Sequence, residues 1–262
     1  MSFPNLHNLT LQSGSLEPIS HLLSRIKLPV MRDFDACFLQ CPSRLQLASF
    51  WAVFQPAIVS PTIKGLKLNH FNRFSRDSPR LETLLLSFED LQPCMAFSNL
   101  RFMDVDIGWN VGLTDGDLLT LTTAWPSLEG FSINAEWGWG VASGGITPSG
   151  LLQVLRTCRS LNSVSLQMDT RGYNESPPPE SPGLTPLRPL SICVVDSVLD
   201  AESIPAMAAF FAGIASPYGF NLYAGDVCMD LWEDVNQRVC EAIYPHSPSD
   251  TTSSLVEDIP AV

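Results

Sequence analysis

The sequence predicts an α/β fold: a repeating solenoid with a parallel sheet on its concave side and helices on its convex side. Three observations carry that expectation. Two consecutive stretches match at one offset, LTDGDLLTLTTAWPSLEGFSI over 113–133 and ITPSGLLQVLRTCRSLNSVSL over 146–166. Their apolar residues recur 33 positions apart: Leu118 with Leu151, Leu121 with Val154, Leu128 with Leu161, Phe131 with Val164, Ile133 with Leu166. The spacing L-x-x-L-x-L also returns along most of the chain. A fixed offset that takes its apolar positions with it marks a repeat protein, whose units bury a core by stacking.

Each matched copy has the same internal logic. Thr114 and Thr147 stand where an N-cap oxygen accepts from first-turn amides. Asp117, three residues after Thr114, completes a near capping box, and Pro148 takes the favoured first helical position. Leu151, Val154, Leu155 and Cys158 fall at i, i+3, i+4, i+7 and predict one apolar stripe. Leu128, Phe131, Ile133 and then Leu161, Val164, Leu166 follow as strands. Their last two residues share a face, and the residue between them looks the other way. Helix, short link and strand, repeated, make a leucine-rich-repeat unit.

Composition narrows the partners. The 262 residues, 45% of them apolar, suffice for a continuous core. A net charge of −12 and a pI near 4.6 argue against a phosphate backbone or an anionic membrane, so neither nucleic acid nor membrane is expected. The seven cysteines are scattered without a C-x-x-C pair and read as reduced core thiols, which places the protein in the cytoplasm or nucleus. No apolar run approaches the roughly 18 residues that span a bilayer, and the N-terminus lacks a basic segment followed by an apolar one.

Taken in order, the chain opens with Leu6, Leu9, Leu11 as a strand, then a helical stretch facing inward through Leu22, Leu23 and Ile26. Met31, Phe34, Ala36 form the second strand, and residues 43–54 a helix with Leu47, Phe50, Trp51 and Phe54 on one side. Ile63, Leu66, Leu68 follow, then a polar, basic loop over 69–79, then Leu81, Leu84, Leu86, spaced closely enough for an extra strand. Leu100, Met103, Val105 lead into the matched copies. Residues 169–189 hold six of the 21 prolines and read as a solvent-exposed excursion within one domain. Leu187, Leu190, Ile192 resume the strands, 201–215 reads as a helix, and 220–223 as a strand. Residues 229–243 predict a terminal helix that covers the last core layer with Trp232, Val235, Val239 and Ile243. The expected solenoid thus spans 1–244, and the Ser/Thr/Pro/Asp-rich 245–262 a disordered tail.

Leu113-Thr114-Asp115, a helix, and Trp125-Pro126-Ser127-Leu128 resemble the cysteine-containing repeats of F-box/leucine-rich-repeat proteins, with Trp in the Cys slot. Ile146-Thr147 and Cys158-Arg159-Ser160-Leu161 resemble the same unit with Arg in the Pro slot, and Phe3-Pro4-Asn5-Leu6 its strand approach. The likeness covers about 3–243 and is sharp over 97–166. It implies the substrate-recognition part of a ubiquitin ligase receptor, with a cullin-RING adaptor as a further partner if an F-box is supplied upstream of Phe3. Two departures accompany it. No F-box stands before Phe3 in this sequence, and the Asn or Cys usual three residues after the last strand leucine is replaced by Gly14, Gly108, Glu136 and Asp169. With only Met1–Asn5 ahead of the first strand, the N-terminal layer is expected to be uncapped and prone to self-association.

Catalytic and metal signatures are sparse. The four histidines are dispersed without an H-x-x-x-H pair, and the chain has no G-x-S-x-G elbow, phosphate loop or dinucleotide fingerprint. Asp104-Val105-Asp106 puts two carboxylates on one strand face, whereas a cation cage needs more oxygen ligands. Neither cofactor, metal nor enzymatic activity is expected.

What remains is a surface for protein. The slot between the last two core residues holds Thr10, Asp35, Lys67, Asp104, Ser132, Ser165 and Ser191. The slot after them holds Gln12, Cys37, Asn69, Asp106, Asn134, Gln167 and Cys193. Stacking lines these up on the concave face, where Asp104, Asp106, Ser132, Asn134, Ser165 and Gln167 form the expected centre. Trp137 and Trp139 in the adjoining loop either extend that patch as hot-spot aromatics or fold back onto the core. The expected function is a non-enzymatic interaction module, as ligase substrate receptor or as a repeat scaffold without ligase association. A fragment without independent function is the remaining alternative.

Overall fold

Hydrogen bonding decides the architecture, because every strand of the main sheet runs parallel to its neighbours. In a computed structural model that describes residues 1–71, 84–135, 139, 146–174, 188–216, 218–225 and 228–244, the strands are β1 (Asn8–Ser13), β2 (Asp33–Phe38), β3 (Gly65–His70), β4 (Leu85–Leu86), β5 (Phe102–Asp106), β6 (Asn110–Val111), β7 (Gly130–Ile133), β8 (Ser163–Ser165), β9 (Leu190–Cys193) and β10 (Phe220–Tyr223). Eight of them form one parallel sheet in chain order, β1-β2-β3-β5-β7-β8-β9-β10. The described residues include seven helices: α1 (Leu16–Leu23), α2 (Arg44–Ala57), α3 (Phe88–Leu91), α4 (Asp115–Thr123), α5 (Pro148–Thr157), α6 (Ile204–Ile214) and α7 (Met229–Ile243).

Two rows of strand side chains make the floor of the core. Phe34, Leu66, Met103, Phe131, Val164 and Ile192 lie side by side on successive strands, and Ala36, Leu68, Val105 and Ile133 form the next row. All ten are at most 2% exposed. The helices cover this face: Phe34 packs edge-on against Phe54 at 4.7 Å, and Trp125 meets Phe131 at 6.3 Å. Removing such area from water is the main driving force for the fold.

Helix starts follow the chemistry of their caps. Ser43 and Gln46 close a capping box on α2, and Thr114 and Asp117 do so on α4. Thr147 caps α5 by accepting from Gly150 N–H at 3.1 Å, with Pro148 in the first helical position. α1 is shorter than its apolar residues suggest; Leu16, Ile19 and Leu23 form its buried stripe, while Leu22 is exposed and Ile26 lies beyond its end.

Each unit is tied to the one before it. Asp115 accepts from Thr147 N–H at 2.9 Å and from its hydroxyl at 2.6 Å, so one carboxylate fixes the start of the next helix. Trp125 Nε1–H donates to Cys94 O at 3.1 Å, and the Cys158 thiol points at Thr122 O and Trp125 O, at 3.4 and 3.6 Å. The Trp and Cys slots of the matched copies therefore do one job, donating to a carbonyl of the preceding unit.

Three sequence expectations change. The short strand β4 pairs with β6 outside the main sheet, so β3 meets β5 directly and no extra strand interrupts the ladder; Leu81 lies outside the described residues. Strand β9 sits two residues from the expected register: Ile192, not Leu190, occupies the slot of Val164. A slip of two keeps every side chain on its face, so alternation alone cannot detect it. Within 169–174, Asp169, Thr170 and Tyr173 are held against the fold, while Arg171, Gly172 and Asn174 are exposed as expected. Asp169 N–H donates to Ile146 O, Thr170 is fully buried, and Tyr173 packs edge-on against Phe210. The rest of the proline-rich stretch, 175–187, and the tail 245–262 lie outside the described residues.

The two ends of the sheet differ. Among the described residues strand β1 pairs on one side only, and its Leu9 and Leu11 are half-buried. At the other end α7 buries Trp232, Val235 and Val239, and Trp232 Nε1–H reaches Ser197 O at 3.0 Å. No helix among the described residues is long and apolar enough to cross a membrane.

Gly150 tests the tie between units. A Cβ there would stand 2.0 Å from Asp115 Oδ1. Alanine is ordinarily the better helix former by roughly 1 kcal/mol, yet Gly150→Ala displaces the carboxylate that holds Thr147. Denaturant titration should show Gly150→Ala destabilising in the native background and neutral or stabilising beside Asp115→Ala. Equal effects in both backgrounds would mean that the two residues are uncoupled.

Candidate binding face

The sheet face turned away from the helices carries two rows of side chains. Register places Thr10, Asp35, Lys67, Asp104, Ser132, Ser165, Cys193 and Tyr223 in one row across eight strands. Two residues earlier runs a second row, Asn8, Asp33, Gly65, Phe102, Gly130, Ser163, Ser191 and Asn221. Adjacent members stand about 4.8 Å apart, the interstrand spacing. The two-residue shift of β9 moves Ser191 into the second row and puts Cys193 in the first.

Of the eight residues singled out from sequence, three lie together on this face. Asp104, Ser132 and Ser165 are paired neighbours on β5, β7 and β8, each half-buried. Asp106, Asn134 and Gln167 are buried instead, so the slot after the last core residue is not surface on these units. The reason is clearest at Asn134. Its φ of 47° ends β7 in a left-handed turn, which swings the amide inward. There Oδ1 accepts from Ile107 N–H at 3.0 Å and Nδ2 donates to Trp109 O, closing the turn of the preceding unit. Gln167, one residue past Leu166, likewise accepts from Trp139 N–H at 3.0 Å.

Trp139 belongs to the core. It is fully buried, and its Nε1–H donates to Ile133 O at 2.8 Å. Of the two alternatives read from the sequence for this ring, the structure has the folded-back one; Trp137 lies outside the described residues.

Sequence reading missed the aromatic members of the face. Phe102 is 46% exposed and Tyr223 56% exposed. Phe102 leans across Gly130, where a Cβ would come within 2.8 Å of its ring. Asp33 leans likewise across Gly65, 2.5 Å from where a Cβ would stand. Phe102 lies two residues before Asp104, so period-two alternation already puts it on that face. Reading the slot ahead of the core pair would have found it.

Charge is confined to one half of the face. A hollow of about 340 Å³ opens over β1, β2, β3 and β5, bordered by Asn8, Thr10, Asp33, Asp35, Gly65, Lys67, Phe102 and Asp104. Lys67 Nζ pairs with Asp104 at 3.1 Å. Burial works to lower the Lys67 pKa, but Asp104 and, more weakly, Asp35 outweigh it and hold the ammonium charged. The Cys37 thiol donates to Asp35 at 3.6 Å, and burial, helped by that carboxylate, pushes its pKa up. Across β7 to β9 the face is neutral and small, with Ser132, Ser163, Ser165 and Ser191.

Trp139→Ala separates core from rim. Loss of a buried ring should cost roughly 3–5 kcal/mol, seen as a lower denaturation midpoint. A change under about 0.5 kcal/mol, typical of surface positions, would return the ring to the binding face.

No family model and no curated protein sequence matches the chain. Among solved structures, the tropomodulin C-terminal domain of Caenorhabditis elegans is similar at 11% identity, covering 88% of this chain and 93% of that chain with a TM-score of 0.28. At that overlap the likeness settles neither fold family nor activity.

Proposed function

We propose that this chain is a non-enzymatic protein-binding module, a leucine-rich-repeat solenoid whose open sheet face receives the partner. The observation that carries the reading is the pair of side-chain rows that eight parallel strands hold in register on a face that no helix among the described residues covers. Stacked repeats use such faces for binding because the backbone fixes the spacing of every side chain in advance. Small side chains over β7 to β9 leave room for a partner to approach, while Phe102 and Tyr223 offer aromatic anchors of the kind that dominate interfaces.

A finer reading makes the module a substrate receptor of an F-box-type ubiquitin ligase. It rests on the resemblance of the repeats, and one observation favours it: Asp115, Trp125, Thr147 and Cys158, which carry that resemblance, are the residues that tie one unit to the next.

Ser132 and Ser165 are paired across β7 and β8 and project from the face, so bulk added there blocks it without touching the core. Proteins captured from cell extract by the native chain should be lost with Ser132→Arg/Ser165→Arg and with Ser132→Glu/Ser165→Glu, at unchanged melting temperature. Full capture by both pairs contradicts the open-face reading. Captured proteins that are not ubiquitinated when an F-box is fused upstream of Phe3 and adaptor and cullin subunits are supplied overturn only the ligase reading.

A further inference from the structure

We propose that the hollow over β1, β2, β3 and β5 binds a cationic side chain, a lysine or arginine in an extended segment of the partner protein. The proposal deepens the open-face reading and rests on it. Three separate features meet there. The first is space: the hollow measures about 340 Å³, and at its floor Gly65 makes room for the Asp33 carboxylate that leans across it.

The second is uncompensated charge. Asp33 and Asp35 lie two residues apart on β2, so both carboxylates look onto the same face. Among the described residues neither forms an ion pair; Asp35 accepts the Cys37 thiol at 3.6 Å. Lys67 is the one cation bordering the hollow among the described residues, and it is directed to Asp104. The hollow therefore holds three carboxylates against one ammonium, and a partner cation completes the balance.

The third is an aromatic wall. Phe102 stands beside Asp104, 46% exposed, its ring braced across Gly130, with the Arg101 guanidinium 5.8 Å from the ring centroid, so a partner cation would share the ring with Arg101. A cation over an aromatic face gains from the ring quadrupole, and the methylene stem of Lys or Arg covers apolar surface on the way in. The neutral serines of β7 to β9 then let the flanking backbone of an extended segment lie across the strands without meeting charge.

The test uses the whole chain and fluorescein-labelled eleven-residue Gly/Ser peptides with a central Arg-Ser-Arg, with citrulline in place of both arginines, or with glutamate in their place. Binding is read by anisotropy and by amide chemical shifts at Thr10, Asp35 and Lys67. The arginine peptide should bind and shift those amides, weaken with added salt, and lose affinity on the order of tenfold in Asp33→Asn/Asp35→Asn. Phe102→Ser should lose roughly two- to fivefold. Glu233→Gln/Glu241→Gln on α7 removes the same charge from a distant exposed surface and should change little. The proposal is overturned if the citrulline peptide binds equally, if no peptide shifts these amides, or if the α7 pair weakens binding as much as the β2 pair. Those outcomes leave the open-face reading standing on the Ser132 and Ser165 variants, whose failure is scored separately.

Discussion

The structure depends on one constraint: no unit can satisfy its own polar ends, so each must hand them to the unit before it. Parallel strands need a crossover between them, and every crossover ends in backbone groups that would be buried without partners. The ladder supplies most of these, with Glu129 N–H on Arg101 O and Asn162 N–H on Glu129 O as typical rungs. Side chains supply the rest. Trp125 donates to Cys94, Cys158 faces Trp125 and Thr122, Asn134 clamps the Ile107–Trp109 turn, and Ser197 accepts from Met168 N–H at 2.6 Å. The residue types differ from unit to unit while the job is constant.

That constraint also shapes the surface. Side chains needed for the backward ties are withdrawn from solvent, which is why Asn134 and Gln167 are buried beside half-exposed Ser132 and Ser165. The polar character that makes an asparagine look like a contact residue is the same character that lets it close a turn. What stays on the open face is what the backward ties do not use: short hydroxyls, a few carboxylates and amides, one ammonium, one thiol and two aromatic rings. Gly65 and Gly130 belong to this pattern, since each is crossed by a neighbour's side chain, Asp33 in one case and Phe102 in the other.

Much of the fold was legible in the sequence. The 33-residue offset, the capping residues Thr114 and Thr147 and the core triplets from Met31 to Leu166, that of Leu81, Leu84 and Leu86 excepted, emerge as read, because local patterning and burial agree there. The terminal helix with Trp232, Val235 and Val239 was legible for the same reason. Where the account slipped, the missing information was tertiary. Register within β9 depends on its neighbours, since alternation is blind to a two-residue shift. Trp139 looked available because a glycine-flanked tryptophan has no periodicity to place it; its indole N–H settles the matter by finding Ile133 O. Of the eight residues expected in the site, three share the open face, the row through Asp104, Ser132 and Ser165. Phe102 was present in the same pattern but one slot outside the reading.

If every unit leans on its predecessor, protection should be graded along the sheet. Native-state hydrogen exchange of individual strand amides measures this directly. The slowest amides are expected in β5 and β7, which have two partners each, with protection falling strand by strand toward β1, whose outer side has no strand partner among the described residues. Amides of β1 as well protected as those of β7, or two blocks that open independently across the β5–β7 junction, would contradict the account.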